Sequence, residues 1–155
     1  MRKTVIDTTS RPPHSQEKWL DLQKIARVEI TSEDPNFPIE SALSAGAGAG
    51  WRAANPGEQI IRIVLDNPRP LRRIRLEFSE TDIERTQEFA LRWSQGGGPF
   101  RELVRQQWNF SPQGSTSEVE DYQINLDGAS ALELSLRPDL TPSSALATLA
   151  AWRVA

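Results

Sequence analysis

The 155-residue chain contains no cysteine. That excludes disulfides, thiolate metal sites and a cysteine nucleophile together. Its one histidine, His14, sits in an Arg-Pro-Pro-His-Ser stretch that reads as loop, which leaves a nucleophile–histidine triad almost nothing to draw on. No segment approaches the roughly 20 apolar residues that span a bilayer, and MRKTVIDTTSRPPH at the start has no apolar run of signal-peptide length. A cytoplasmic location is therefore expected. Excess positive charge is also missing: 18 Lys and Arg stand against 21 Asp and Glu, a net charge of -3, so no global basic field would gather nucleic acid. What is present is globular usage, with 37% hydrophobic residues, 25% charged residues and a mean hydropathy of -0.51 that separate it from membrane proteins and disordered tails. Five tryptophans beside a single tyrosine are the unusual feature.

Residues 1–18 are polar, carry Pro12 and Pro13 and show no sustained period; they read as an arm that packs only through Val5 and Ile6. Residues 19–155 read as one domain. Short apolar runs bounded by Pro, Gly, Asn and Asp predict strands at 25–31, 59–66, 71–79, 87–94, 100–110, 118–126, 131–137 and 146–154. Ile74, Leu76 and Phe78 alternate with Arg73, Arg75 and Glu77, and Leu132, Leu134 and Leu136 alternate with Glu133, Ser135 and Arg137. Phe89, Leu91 and Trp93 alternate in the same way, so half-buried antiparallel strands are expected. Asp66-Asn67-Pro68-Arg69-Pro70, Gly96-Gly97-Gly98-Pro99 and Asp127-Gly128 supply turn chemistry between them. The expected fold is all-β, an antiparallel eight-stranded β-sandwich or jelly roll. Short helical turns are expected near Ile39–Leu43 and over Thr81–Arg85, the latter capped by Thr81 or Asp82.

Little in the chain carries reaction chemistry. Gly46 to Gly50 (GAGAG) lacks the preceding strand, the following helix and the Lys-Ser/Thr pair of a phosphate-binding loop. Acids cluster at Glu80, Asp82, Glu84 and Glu88 and again at Glu118, Glu120 and Asp121, but both clusters lie beside turns and are expected to face solvent. Glu33-Asp34 is a candidate acidic turn for an oxygen-ligated cation, without the spacing of an EF-hand. Among the tryptophans, Trp93 and Trp152 fall in apolar strands and read as core, and Trp19 as an end cap. Trp51, followed by Arg52, and Trp108, flanked by Arg105, Gln106, Gln107 and Asn109, have the polar neighbours that sugar recognition uses. There the ring stacks on an apolar sugar face and the polar groups fix hydroxyls.

The run VEITSEDPNFPIESALSAGAGAGWRAANPGEQIIRIVLDNPRPLRRIRLEF resembles the N-terminal half of a discoidin-like domain, the coagulation-factor type C fold. The residues that carry the likeness are Thr31-Ser32, Phe37-Pro38, Ala42-Leu43, the Gly-rich loop ending in Trp51, Ile61 to Leu65 and Ile74 to Phe78. EFALRWSQGGGPFRELVRQQWNF is similar to that family's strand, Ser-x-Gly-Gly turn and strand, and the resemblance covers about residues 24 to 155. It implies a galactose-binding-like jelly roll serving as a non-catalytic binding module, whose loops at one end take glycans, phospholipid headgroups or proteins. The family's calcium-ligand acids are replaced here by Ser44–Gly50 and by Ala150-Ala151-Trp152-Arg153-Val154, and its N-to-C disulfide is missing. No cofactor is therefore expected, and a structural calcium would rest on backbone carbonyls.

The expected function is carbohydrate binding by a chain that is not an enzyme. Trp108, Asn109 and Arg105 form one candidate contact cluster, Trp51 and Arg52 a second, with Glu84 and Arg85 on the connecting turn. Arginine forks in these clusters suit hydroxyl pairs or the carboxylate of an acidic sugar. The alternative is a protein-interaction or structural module presenting Arg73, Arg75, Arg92 and Arg101 on one strand face.

Overall fold

The computed structural model describes residues 18–44 and 48–155. The arm at 1–17, with Val5, Ile6 and His14, and the start of the Gly-rich loop at 45–47 lie outside the described residues. Eight strands occur among the described residues: β1 (Ala26–Ile30), β2 (Trp51–Arg52), β3 (Gln59–Ser79), β4 (Arg85–Gln95), β5 (Arg101–Phe110), β6 (Ser117–Arg137), β7 (Thr148–Leu149) and β8 (Ala151–Val154). Two single-turn helices accompany them, α1 (Leu22–Ile25) and α2 (Ile39–Leu43). α2 forms where a helical turn is expected, its first amide Ile39 N donating to the Glu33 carboxylate and its end closed by Ser44 N on Glu40 O. Thr81–Arg85 forms no helix. Glu80 Oε2 accepts from Asp82 N, and Thr81 Oγ1 donates to Asp82 Oδ1, so the two expected caps bond within the turn instead of capping a helix.

β3 and β6 each run through two expected strands. Their antiparallel ladder extends from Gln59↔Leu136 to Ser79↔Ser117, broken by register shifts between Val64 and Arg73. Asp66–Pro70 and Asp127-Gly128 are thus corners inside long strands rather than hairpin turns. Pro68 and Pro70 cannot donate to a ladder, and Gly128 takes φ +66, so the pairing bulges there and both strands bend from one layer into the other. The first layer runs β1-β3-β6-β4-β5, and the far half of β3 pairs with β6 on one side and β8 on the other. The inner faces supply Ile61, Ile63, Leu132, Leu134, Leu136, Phe89 and Leu91 from one layer. Ile74, Leu76, Phe78 and Trp152 answer from the other, all at or near zero exposure, as the alternation predicts. Gly96 and Gly97, both at positive φ, close the β4–β5 hairpin.

The corners, the β4–β5 hairpin, the segment around Leu20 and the C-terminal residues gather at one end of the sandwich. There Leu20 N donates to Val154 O, and Arg72 N and Arg73 N donate to Ala155 O. The connections at 31–38, 53–58, 80–84, 111–116 and 138–147 gather at the opposite end, hereafter the loop end.

The arginine-rich face does not exist as one surface. Arg73 and Arg75 belong to the second layer, where Arg73 is buried against the Trp19 ring at 4.7 Å and paired to Asp121 at 2.6 Å. Arg92 and Arg101 lie on the first layer. Trp19 therefore covers the outside of β3 rather than capping an end.

Candidate functional site

A cavity of about 420 Å³ opens at the loop end. One wall is Phe37, Arg52 and the buried Trp51; the facing wall is the turn Ser79–Ile83; residues 144–150 close the third side. β2 pairs with β7 through Trp51↔Leu149, and this close approach requires Gly50, at φ +82, where a Cβ would meet Leu149 O at 2.6 Å. Any side chain there would push β2 off β7 and spread the cavity.

Arg52 lies flat over Phe37 at 4.0 Å, and its Nε and Nη2 donate to Asp34 Oδ2 at 3.3 and 2.8 Å, leaving Nη1 outside the pair. The Arg52 hydrogen bonds, followed by the Asn36 amide, hold the Asp34 carboxyl below its usual range. Opposite, burial pushes the Glu80 carboxyl up, but Arg85 and the amides of Asp82 and Ile83 outweigh it and hold it low. Glu80 therefore stays ionised at neutral pH, an acceptor rather than a proton donor. Thr81, Asp82 and Ser144 add hydroxyl and carboxylate groups, and Ile83, 42% exposed, adds an apolar rim.

The candidate residues from the sequence fall into three places. Trp51 and Arg52 reach the cavity, but Trp51 is 1% exposed and its Nε1 donates to Ser32 O, so the ring is a floor and not a stacking platform. The β2–β7 pairing that turns it inward is invisible to a local reading, because the partner lies about a hundred residues away. Arg85 is buried beneath the cavity, its guanidinium 4.9 Å from the Phe110 ring centre, while Glu84 is exposed on the turn. Trp108, Asn109 and Arg105 lie on β5 and do not line the cavity. They also split between faces. Trp108 points inward beside Gln87, its register partner, with Nε1 on Ser115 Oγ. Arg105 points outward to Glu88 and Glu102, and Asn109 accepts from Thr86 Oγ1. Gln107 and then Arg105, against some burial, hold Glu88 below the usual carboxylate range.

In the second acidic cluster Asp121 faces outward and is exposed as expected, but Glu118 and Glu120 are not solvent-facing. Glu118 is 1% exposed and Glu120 half-buried, both on the inner side of β6. A signal for this is in the sequence: counting back in twos from Leu126 passes Ile124 and Tyr122 to Glu120 and Glu118. The same count from Leu91 in β4 passes Phe89 to Gln87 and Arg85. The apolar stripes of both strands turn polar as they approach the loop end.

These side chains make one connected chain. Arg85 Nε donates to Glu80 Oε1 at 2.7 Å, its Nη1 to Pro138 O at 2.8 Å and to Gln87 Oε1 at 3.3 Å, and its Nη2 to Thr148 Oγ1 at 3.3 Å. Gln87 Nε2 donates to Glu118 Oε1 at 3.2 Å, and Tyr122 donates to Glu120 Oε2 at 3.1 Å. Glu118 Oε2 is buried without a hydrogen-bond partner of good geometry; its interacting neighbour is the Glu120 carboxyl. Burial first, and Glu120 second, push the Glu118 carboxyl up to about 8. Burial and then Glu120 also push the Tyr122 phenol up. No group of three or more metal-ligating side chains occurs among the described residues, and no helix among them is long and apolar enough to cross a membrane.

No family model and no curated protein matches the chain. Solved structures do. The family 32 carbohydrate-binding module of C. perfringens NanJ, in complex with galactose, superposes with TM-score 0.66 at 14% identity, covering 88% of this chain and 96% of that one. A Clostridium perfringens module, CpGH89CBM32-5, in complex with GalNAc-β-1,3-galactose gives 0.63 at 16% identity, covering 88% and 99%. The family 32 module of AlyQ, in complex with 4,5-unsaturated mannuronic acid, gives 0.62 at 15% identity, covering 84% and 95%. The shared fold is an antiparallel jelly-roll β-sandwich, the architecture expected from the sequence.

Proposed function

We propose that this chain is a non-catalytic carbohydrate-binding module that takes a glycan in the loop-end cavity. The observation that carries the reading is that cavity's construction, on a fold shared with modules solved in complex with sugars. Its volume of about 420 Å³ falls in the small-ligand range. Carboxylates on one wall accept from hydroxyls, and Arg52 Nη1 on the other donates to them. Phe37, Ile83 and Leu146 supply apolar surface for the C–H face of a ring, a role the buried Trp51 does not fill. Arg52 is already neutralised by Asp34, and Glu80 and Asp82 face it, so neutral sugars suit the cavity better than uronic acids. Glu80 is held ionised by Arg85, which supports binding without hydrolysis, because glycoside cleavage needs a carboxylic acid that donates a proton.

Titration calorimetry of the full chain with galactose, N-acetylgalactosamine and galacturonic acid at millimolar concentration tests this. Heat is expected from a neutral sugar, with affinity reduced at least about tenfold by Arg52→Ala or Asp82→Ala, the loss of one charge-assisted hydrogen bond. Silence from all three sugars, or binding that ignores both substitutions, overturns the reading.

A further inference from the structure

The most deeply buried carboxyl of the loop end lies under the candidate cavity. Glu118 faces Glu120 along β6, Gln87 and Arg85 from β4, and its register partner Phe78 from β3. From β5, Trp108 and Phe110, the register partners of Gln87 and Arg85, bring no charge. Arg85 is the cation that acts on Glu118, and it does so from behind Gln87 while bonded directly to Glu80. Glu80 in turn accepts from the amides of the turn that walls the cavity. A buried amide with one end on an arginine and the other on a carboxyl has no freedom to serve either independently.

We infer that Glu118 is a positioning residue for the cavity: the proton on its carboxyl sets, through Gln87 and Arg85, how Glu80 and Thr148 hold the cavity walls. This rests on the reading of that cavity as the glycan site. With the proton in place, Glu118 is neutral and Arg85 belongs to Glu80. When the proton leaves for solvent, a second buried anion competes for the same guanidinium. The bond from Arg85 to Gln87, at 3.3 Å, is longer than the 2.7 Å bond to Glu80, so it is the link with slack to take up. Tightening it draws Arg85 off Glu80 and Thr148 together, and the walls move. Burial and Glu120 raise the carboxyl while Gln87 and Arg85 lower it, which places this change near pH 8.

Carbon-13 methyl spectra of the full chain, recorded without sugar from pH 6.5 to 9.5, read the walls directly through Ile83 and Thr148. Both methyls are expected to shift with one common midpoint near 8. Glu118→Gln, whose amide copies the neutral carboxyl, should abolish the transition and hold both methyls at their low-pH positions. Glu120→Gln changes a half-buried carboxyl, keeps the fold and should lower the midpoint by removing the repelling partner, which secures the test if Glu118→Gln does not fold. Wild-type methyls without a common transition, a transition that survives Glu118→Gln, or a midpoint indifferent to Glu120→Gln each overturn the inference. Since no ligand is present, a failed titration leaves sugar binding standing, and silent calorimetry leaves the titration standing.

Discussion

Glu133 and Glu118 lie on the same strand, at 5% and 1% exposure, and are buried in opposite ways. Glu133 faces outward. It is covered by the side chains that neutralise it: Arg62 Nη2 at 2.8 Å and Arg92 Nη1 at 3.7 Å, with Arg62 also reaching Glu29. Glu118 faces inward, is covered by the opposing layer and meets no arginine directly. Long cationic side chains bury a surface acid by lying over it, so burial and neutralisation arrive together. Packing between two layers buries a carboxyl without supplying a charge, so protonation has to do that work. Relative exposure alone does not distinguish the two.

The comparison breaks hardest at Arg85. Arg85→Met should cost about 3–5 kcal/mol in urea unfolding, because Glu80 loses its cation and Pro138 O, Gln87 and Thr148 lose donors in a buried setting. Next is the pH dependence of stability. A carboxyl raised in the folded state binds a proton that the unfolded chain has released, so its contribution is full below the ordinary value of 4.5 and is lost as pH rises to about 8. Asp34, Glu80, Glu88 and Asp121 are held low and act in the other direction, losing stabilisation as pH falls below the ordinary carboxylate range. The unfolding free energy should therefore peak in mild acid near pH 5 and decline toward pH 8.5, by on the order of 4 kcal/mol for Glu118. Glu118→Gln should flatten that decline. The smallest effects belong to the outward face. Glu133→Gln should cost about 1 kcal/mol, because both its arginines stay partly solvated. Arg105→Ala, which removes an exposed pair with Glu102 and one of two partners of the buried Glu88, should cost at most about 1 kcal/mol, since Gln107 still donates to Glu88.

The fold was legible where one face of a strand is apolar throughout. Ile74–Leu76–Phe78 and Leu132–Leu134–Leu136 state their own orientation. The corners misled because Asp-Asn-Pro-Arg-Pro and Asp-Gly are turn sequences, and only the length of the β3–β6 ladder shows that the chain passes through them still paired. The site was half legible. Arg52 was identified by its polar neighbourhood and reaches the cavity. Trp51 has polar sequence neighbours, yet its burial comes from Leu149; Glu118 and Glu120 lie beside a turn, yet share the parity of Leu126, which sends them inward. Glu80, which supports both the cavity wall and the buried chain, stood among the acids dismissed as solvated.

Among the described residues no strand pairs with the outer sides of β1 and β5, with which the first layer ends. Copies crowded side by side, as on a polymer with many attachment points, would bring these edges together. Their exposed positions carry Arg27 and Glu29 on one strand and Arg101, Glu102 and Arg105 on the other. Docking a further strand there would strip water from those charges, and a two-fold contact centred on Arg27 or on Glu29 would set like against like. An open-edged sandwich so armed can accumulate at high local density and remain a collection of separate molecules instead of zipping into a continuous sheet.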